Sequence, residues 1–426
     1  MYLKYYSYGT DVMLIQSTLK KINYYDGEVD GLFGLKTLEA VNRFKYDHNL
    51  SKDGIFDKAV YDLLEPYIYG FTYYKIKNSD TLYTIAQTCN STIKNIQTAN
   101  PKVSEDNLKV DSEIIVPFNY DVVDTNINYS YKVLQIDISA LTARYPFLEV
   151  YTIGQSVMGR DLIGVRLGLG GKKLFINGAH HSLEWITTVV LMKFVEDYCK
   201  AYSKRALLSY FDINRFFNEL SIYIIPMVNP DGIDLVLNGL LRSNPNYNNL
   251  LIYNNNSTDF SKNWQSNNNG VDLNHNYDAN FEEAEAASAQ IGITSPSPSR
   301  YGGEYPFSEP ETRAISEFVL MDNFLLTLAY HSQGEIIYYN YLDQDVANLI
   351  PIAKLLTTAS GYKLERIEDI GQYAGYKDWF IKETKSPGYT IEVGKGVNPL
   401  PISQFDTIYA DNLPLLLTAA YAALNI

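Results

Sequence analysis

The sequence predicts a mixed α/β fold: a largely parallel sheet flanked by helices, preceded by a small three-helix domain and a small βααβ domain. Three observations carry this. Four apolar runs, KKLFING (172–178), SIYIIPMV (221–228), FLLTLAY (324–330) and GYTIEVG (388–394), have the near-continuous hydrophobicity of strands buried on both faces. Amphipathic stretches such as LEWITTVVLMKFVEDYCKAY and ETRAISEFVL alternate with them and read as helices. Ahead of residue 122 the pattern changes to short helical and turn-rich pieces, which sets boundaries at 1–67, 71–119 and 122–426.

In the first segment, Val12, Ile15 and Leu19 recur at helical spacing, as do Thr37, Ala40, Val41 and Phe44. The turn-rich DGEVDGLFG separates them, and LSKDGIFDKAVYDLL repeats the turn-then-helix theme. Gly9, Val12 and Gln16, VDGLFG at 29–34 and DGIF at 53–56 resemble the peptidoglycan-binding domain of wall hydrolases. Residues 71–119 read as strand, helix, helix, strand: FTYYKIK, TLYTIAQTC, IKNIQTANP and VDSEIIVP. Here Asp80-Thr81-Leu82-Tyr83, Ile85-Ala86, Ile96, Asn100-Pro101 and Val116-Pro117 resemble a LysM domain, although Ser79 stands where that family has glycine. The resemblance implies binding to glycan strands that contain N-acetylglucosamine.

The 426 residues suffice for about two to four domains. Cys89 and Cys199 have no disulfide or metal spacing and read as free thiols. A formal net charge of −14 opposes any encounter with nucleic acid or an acidic membrane. Apolar runs such as 413–417 are too short to span a bilayer. The N-terminus, MYLKYYSYGTDVMLIQ, shows neither an apolar signal core nor a small-residue cleavage site. It predicts a cytoplasmic protein, in a sporulating cell or associated with the spore or cell wall, unless a signal was trimmed. The asparagine-rich stretch 243–270 reads as a long loop.

Candidate chemistry centres on GAHHSLEWITT (178–188). An H-x-x-E spacing arises easily by chance, and a histidine pair near a helix start is commonly a cap. Its position adds information. The pair follows the strand KKLFING, and His331 follows FLLTLAY, so both reach the carboxyl ends of strands, where open α/β sheets bind ligands. Glu392 sits in an otherwise apolar strand, a costly place for a carboxylate without a charged partner. An ion pair with Lys395 is the plain alternative. Two imidazoles and a carboxylate suit Zn²⁺ with one position left open for water, and a further carboxylate would then serve as general base.

Through H-x-x-E-W at 181–185, NPDG at 229–232, GVDLNHN at 270–276, His331-Ser332 and Glu392, residues 125–426 resemble the zinc carboxypeptidase family. The resemblance implies one zinc on His181, Glu184 and His331, with His180 left to support the loop. It implies Glu392 as the base and Asp272 as the carboxylate that orients a liganding imidazole. Asn274 and His275 take the place of an Asn-Arg pair that grips a terminal carboxylate, and a histidine weakens that clamp. Ile381 stands for the substrate-capping tyrosine, and no arginine occurs from 243 to 299, which leaves Gln265 or Arg242 to assist the developing negative charge. HSQGEIIYY (331–339), SEPET (308–312), SVMGRDL (156–162) and EVGKGVNPLP (392–401) resemble the bacterial branch that cleaves the γ-D-glutamyl–meso-diaminopimelate bond of peptidoglycan stem peptides. Two alternatives stay open at this point: an ordinary metallocarboxypeptidase with wall-binding modules, and a non-catalytic wall-binding protein. Oligomeric state and the preferred diamino acid are not legible.

Overall fold

A computed structural model describes residues 1–367 and 373–426, and they form two compact units, Met1–Glu149 and Val150–Ile426.

The first unit opens with helices Thr10–Lys21, Leu35–Asp47 and Lys58–Tyr69. Val12, Ile15, Leu19, Val41, Phe44, Val60 and Leu64 bury completely between them. Two turns with left-handed glycines, Gly31 and Gly54, join the helices. Each turn is pinned by a buried polar side chain. The amide of Gln16 donates to Asp30 Oδ1 (2.8 Å) and Leu32 O (3.0 Å) and accepts from Gly31 N (2.9 Å). The Lys45 ammonium plays the same part in the second turn, on Asp53 Oδ1 (2.6 Å) and Ile55 O (3.0 Å).

Strands β1 (Phe71–Lys75) and β2 (Glu113–Pro117) then pair antiparallel, with helices Leu82–Thr88 and Ile93–Ala99 between them in sequence. Ile76, Leu82, Ile85, Ile96, Ile114 and Val116 make their core. Asn100 explains the Asn-Pro pair: its amide donates to Ile115 O (2.7 Å) and accepts from Ile115 N (3.0 Å), closing the strand edge. Helix Tyr131–Arg144 completes the unit, because Arg144 donates to the carbonyls of Gly70 (2.8 Å), Phe118 (3.0 Å) and Tyr120 (2.7 Å). The compact division therefore falls at Glu149, downstream of the boundary at 122 read from the sequence.

The second unit is built on an eight-stranded sheet: β3 (Glu149–Gln155), β4 (Asp161–Leu167), β5 (Lys172–Gly178), β8 (Leu220–Ile225), β9 (Leu326–His331), β10 (Ile336–Tyr338), β11 (Lys363–Glu365) and β12 (Gly388–Glu392). A two-residue hairpin, β6 (Leu207–Leu208) and β7 (Phe211–Asp212), stands apart. The order is β11-β10-β12-β9-β5-β8-β4-β3. The central strands β12, β9, β5 and β8 run parallel, and antiparallel pairings bring in β10 and β4.

Helices flank this mixed sheet. Phe405–Asn425 packs on β5 and β8, and Tyr376–Thr384 packs on β9 and β12. Leu174, Phe175, Ile176, Ile222, Ile224, Leu326, Leu328 and Ile391 are wholly buried. Each such side chain contributes roughly 1.5–3 kcal/mol of burial, so the central strands anchor the unit. The asparagine-rich stretch holds one short helix, Tyr247–Tyr253, within its loop. Several of its asparagines are structural: Asn254 donates to Ser257 O (3.1 Å) and Asp259 O (2.9 Å), and Asn267 and Asn268 are buried.

Candidate active site

Three neighbouring parallel strands end on the candidate residues. Strand β5 stops at Gly178 and leads through Ala179, in the left-handed region at φ 58°, to His180 and His181. One 3₁₀ turn, Ser182–Glu184, follows and brings Glu184 back beside His181. Strand β9 ends on His331, β12 ends on Glu392, and these two residues are register partners. The carboxyl edge of the sheet thus supplies the whole set, as expected for a parallel α/β sheet.

The histidine turn is clamped from the NPDG segment. Asn229 Nδ2 donates to His180 O (3.0 Å) and Ser182 Oγ (3.1 Å), while Ser182 Oγ donates to Ser266 O (2.7 Å). Gly232 is needed there: a Cβ would lie 2.1 Å from Ser182 Oγ and 2.5 Å from Ser266 O.

Nδ1 of His181 and Nδ1 of His331 each lie 2.9 Å from a different oxygen of Glu184. The donor atoms of the three residues lie within 4.8 Å of one another. Nε2 of His181 is 3.2 Å from Asp272 Oδ1, and Asp272 Oδ2 accepts from Arg300 N at 2.8 Å. Burial lowers the pKa of His181, but Glu184 and Asp272 outweigh it and hold it well above the usual value. Glu184 is buried too, yet the charges of His181 and His331 bring it down to about 2. Asp272 is likewise held well below the carboxylate range, because His181 and His275 overcome its burial.

The donor set fits a divalent cation. Both Nδ1 atoms turn toward one carboxylate, so a cation among them would take the place of the two protons that otherwise bind there, and Asp272 would keep the His181 proton on Nε2. His180 is not part of this group. It is fully buried, its Nε2 is 2.9 Å from Tyr277 Oη, its ring stacks on Tyr376 (5.7 Å between centroids), and burial keeps it neutral.

A cleft of about 370 Å³ opens onto His181 and is lined by Gln265, Asp272, Asn274, His275 and Glu392. Burial, then the charge of Glu184, pushes Glu392 up to about 8. Lys395 pairs with Glu335 (2.5 Å), not with Glu392, so the plain ion-pair alternative for Glu392 is not formed. Asn274 Oδ1 accepts from Tyr376 N (3.0 Å), which leaves its NH₂ group free to donate toward the cleft. The imidazole of His275 is driven below its usual pKa, chiefly by burial, and is neutral near pH 7.

Arg242 is not brought into the cleft; it is exposed and lies over the ring of Tyr247. Ile381 is wholly buried against Gly388 and belongs to the core. Four ionisable cleft residues escaped the sequence reading: Arg300, Tyr338, Lys377 and Asp378. The adjacent charges of Y-K-D-W were the available signal for the last two. The SEPET and NPDG segments both hold the SVMGRDL motif, where Glu311 accepts from Val157 N (3.1 Å) and Asp231 from Met158 N (2.8 Å).

Residues 134–414 match the zinc carboxypeptidase family model. The chain belongs to that family. As one of its members it is a zinc metallopeptidase whose cofactor is zinc, and His181, Glu184 and His331 form the potential metal-binding triad. Residues 8–64 match a putative peptidoglycan binding domain and 74–117 a LysM domain, so this zinc carboxypeptidase carries peptidoglycan-binding modules. Over 300 residues it is 38% identical to Gamma-D-glutamyl-L-diamino acid endopeptidase 1 of Lysinibacillus sphaericus, covering 70% of this chain and 74% of that one. It is 31% identical to bovine carboxypeptidase A1 over 214 residues, 47% of this chain and 43% of the other. The structure of bovine thrombin-activatable fibrinolysis inhibitor, in complex with tick carboxypeptidase inhibitor, shares the fold at a TM-score of 0.53 and 20% identity, covering 70% of this chain and 98% of that one. Among the described residues, no helix is long and apolar enough to cross a membrane.

Proposed function

We propose that this zinc peptidase hydrolyses the γ-D-glutamyl–meso-diaminopimelate bond of peptidoglycan stem peptides. The observation that carries the reading is the 38% identity over 300 residues to an endopeptidase named for γ-D-glutamyl-L-diamino acid bonds. Two wall-binding modules ahead of the peptidase support it. We assign residues 1–67 and 71–119 to grip the glycan strands and 122–426 to carry the chemistry. Action at the cell wall follows from those modules, and action inside a sporulating cell is the finer form of the proposal, open to test by fractionation.

His181, Glu184 and His331 would hold the metal, which when bound supplies Lewis acidity that polarises an oxygen and makes a water proton easier to remove. Glu392, at the end of β12 in the same cleft, would be kept ionised by the positive charge of the bound metal, which opposes the burial and the Glu184 charge that otherwise raise it; it accepts that proton on a carboxylate oxygen as the water oxygen attacks the γ-carbonyl carbon. It then delivers the proton to the diaminopimelate nitrogen as the C–N bond breaks. Products are a free γ-carboxylate and a free amine. Asp272 keeps the His181 ring in one orientation and one tautomer. The amide NH₂ of Asn274 donates to a substrate carboxylate, and neutral His275 adds at most one hydrogen bond, so the clamp on a plain terminal carboxylate is weaker than an arginine fork. Gln265, which lines the same cleft as His181, is the donor we assign to the oxygen that gains negative charge.

Digestion of defined muropeptides, with products read by mass, tests this reading. It expects free diaminopimelate and L-Ala-D-Glu from the tripeptide, and loss of both products on chelation. Release of other C-terminal residues in preference would favour an ordinary metallocarboxypeptidase.

A further inference from the structure

The loop that follows Glu392 turns back onto the residues that would hold the metal, and the hydrolytic step described above makes no use of that contact. Its path is fixed by its own packing. At Gly394, in the left-handed region at φ 67°, a Cβ would lie 2.6 Å from Leu400 Cδ1 and 2.8 Å from Ile408 Cδ1. Gln404 pins Lys395 from both sides, accepting from its N (3.1 Å) and donating to its O (2.7 Å), and Leu400 is buried. Two backbone bonds tie the loop to the turn after β9: Val393 N donates to His331 O (2.9 Å) and Gly334 N to Gly394 O (2.8 Å). On this frame Asn398 meets Ser332, the neighbour of His331, in a reciprocal pair. Ser332 Oγ donates to Asn398 Oδ1 (2.8 Å), and Asn398 Nδ2 donates to Ser332 O (2.6 Å). The amide NH₂ keeps a second hydrogen, and its nitrogen lies 3.5 Å from Glu184 Oε1, the oxygen that faces His181 Nδ1.

A neutral amide suits this place. An ammonium or guanidinium beside Glu184 would repel a divalent cation among the three ligands, and a carboxylate would repel Glu184 itself. An amide orients the carboxylate and leaves the net charge of the site unchanged. Partners of this kind hold ligating groups in place, and the loss of one costs about 10–100-fold in metal affinity or activity. Asn398 does not line the cleft, so it reaches the ligands and not the substrate. We propose that Asn398 is a positioning residue of the metal site. It fastens the loop after Glu392 to the turn after His331 and steadies Glu184 between the two histidines, so that the three ligands and the base keep one spacing. The part that concerns the base rests on the function proposed above; the part that concerns the metal does not, and the two have separate readouts.

Two variants of the zinc-loaded full chain test this: Asn398→Leu, close in size but without a donor, and Ser332→Ala, which removes one hydroxyl. Transfer of zinc to a chromophoric chelator should be about 10-fold to 100-fold faster from Asn398→Leu than from the wild type. Ser332→Ala should shift the rate in the same direction by less. The double variant should lose zinc no faster than Asn398→Leu alone, because both changes break the same contact. At saturating zinc, Asn398→Leu should lower kcat for L-Ala-γ-D-Glu-meso-diaminopimelate and change KM little, since no substrate group is bound by Asn398. A residue that only stabilised the fold would lower the melting temperature and leave the rate of zinc loss unchanged, and that result would overturn the inference. Should Asn398→Leu fail to fold, Ser332→Ala decides alone, and zinc loss at the wild-type rate overturns it. Faster zinc loss from a protein that cleaves no stem peptide would support the metal part and remove the proposed bond.

Discussion

Replacing Glu311 by glutamine removes a carboxyl group that the fold keeps protonated. Its side chain is wholly buried, with Oε1 accepting from Val157 N (3.1 Å) and Oε2 from Asn267 Nδ2 (3.3 Å). Asp231 and Glu309 face it, and the positive charge nearby, Arg160, is shared between Asp231 (3.4 Å) and Asp234 (2.7 Å). Burial first, then the charge of Asp231, push Glu311 up from 4.5 to about 8. A raised folded pKa means the folded state binds this proton more tightly than the unfolded chain. Stability from this group is therefore whole below about pH 4.5 and is lost as the pH rises toward about 8. At about 1.4 kcal/mol per pH unit the loss is bounded at roughly 5 kcal/mol, and relaxation around the site reduces it. Glutamine keeps the acceptor for Val157 but turns an NH₂ toward Asn267, which costs about 1 kcal/mol. The variant should match or fall slightly below wild type at pH 5, and exceed it by about 2–4 kcal/mol at pH 9. Urea unfolding of the zinc-loaded chain across this range provides the assay, read as variant minus wild type so that the other titrating groups cancel. A difference that stays constant from pH 5 to pH 9 would refute the reasoning.

Other consequences follow from the site geometry. His181→Ala should lose zinc while the circular dichroism of the sheet is retained; equal zinc in mutant and wild type would remove His181 from the ligand set. Glu392→Gln should keep zinc but lose turnover by about 10²–10⁴-fold, since an amide cannot accept the water proton. Gly232→Ala would place a methyl group 2.1 Å from Ser182 Oγ and displace the turn between His181 and Glu184, so zinc should leave the variant faster in a chelator competition. An unchanged rate would mean that the NPDG segment does not hold that turn.

The sheet and the metal-site candidates were legible in the sequence for one reason: strands buried on both faces read as unbroken apolar runs, and a polar residue at the end of such a run stands out. His181, His331 and Glu392 each stood at such an end. Arg300 did not, because it lies in the irregular segment after the helix Phe281–Gln290, and only the folded chain shows its backbone N–H on Asp272. The long asparagine-rich connection hid how little of it is free loop, since its asparagines bond backbone groups whose positions no spacing rule supplies. Lys377 and Asp378 are adjacent charges of a kind usually solvated at a helix start, and only tertiary packing buries them. Arg242 lies outside the cleft lining, over the ring of Tyr247, a placement that sequence position does not reveal. Arg144, whose three carbonyl acceptors hold its helix to the first unit, carries no signal of that role in the sequence.

The most direct test of the account compares kcat/KM for L-Ala-γ-D-Glu-meso-diaminopimelate with values for blocked dipeptides ending in phenylalanine, leucine, lysine or arginine. The zinc-loaded protein should release diaminopimelate from the tripeptide and cleave the dipeptides poorly. A kcat/KM favouring any of those dipeptides over the tripeptide would contradict it.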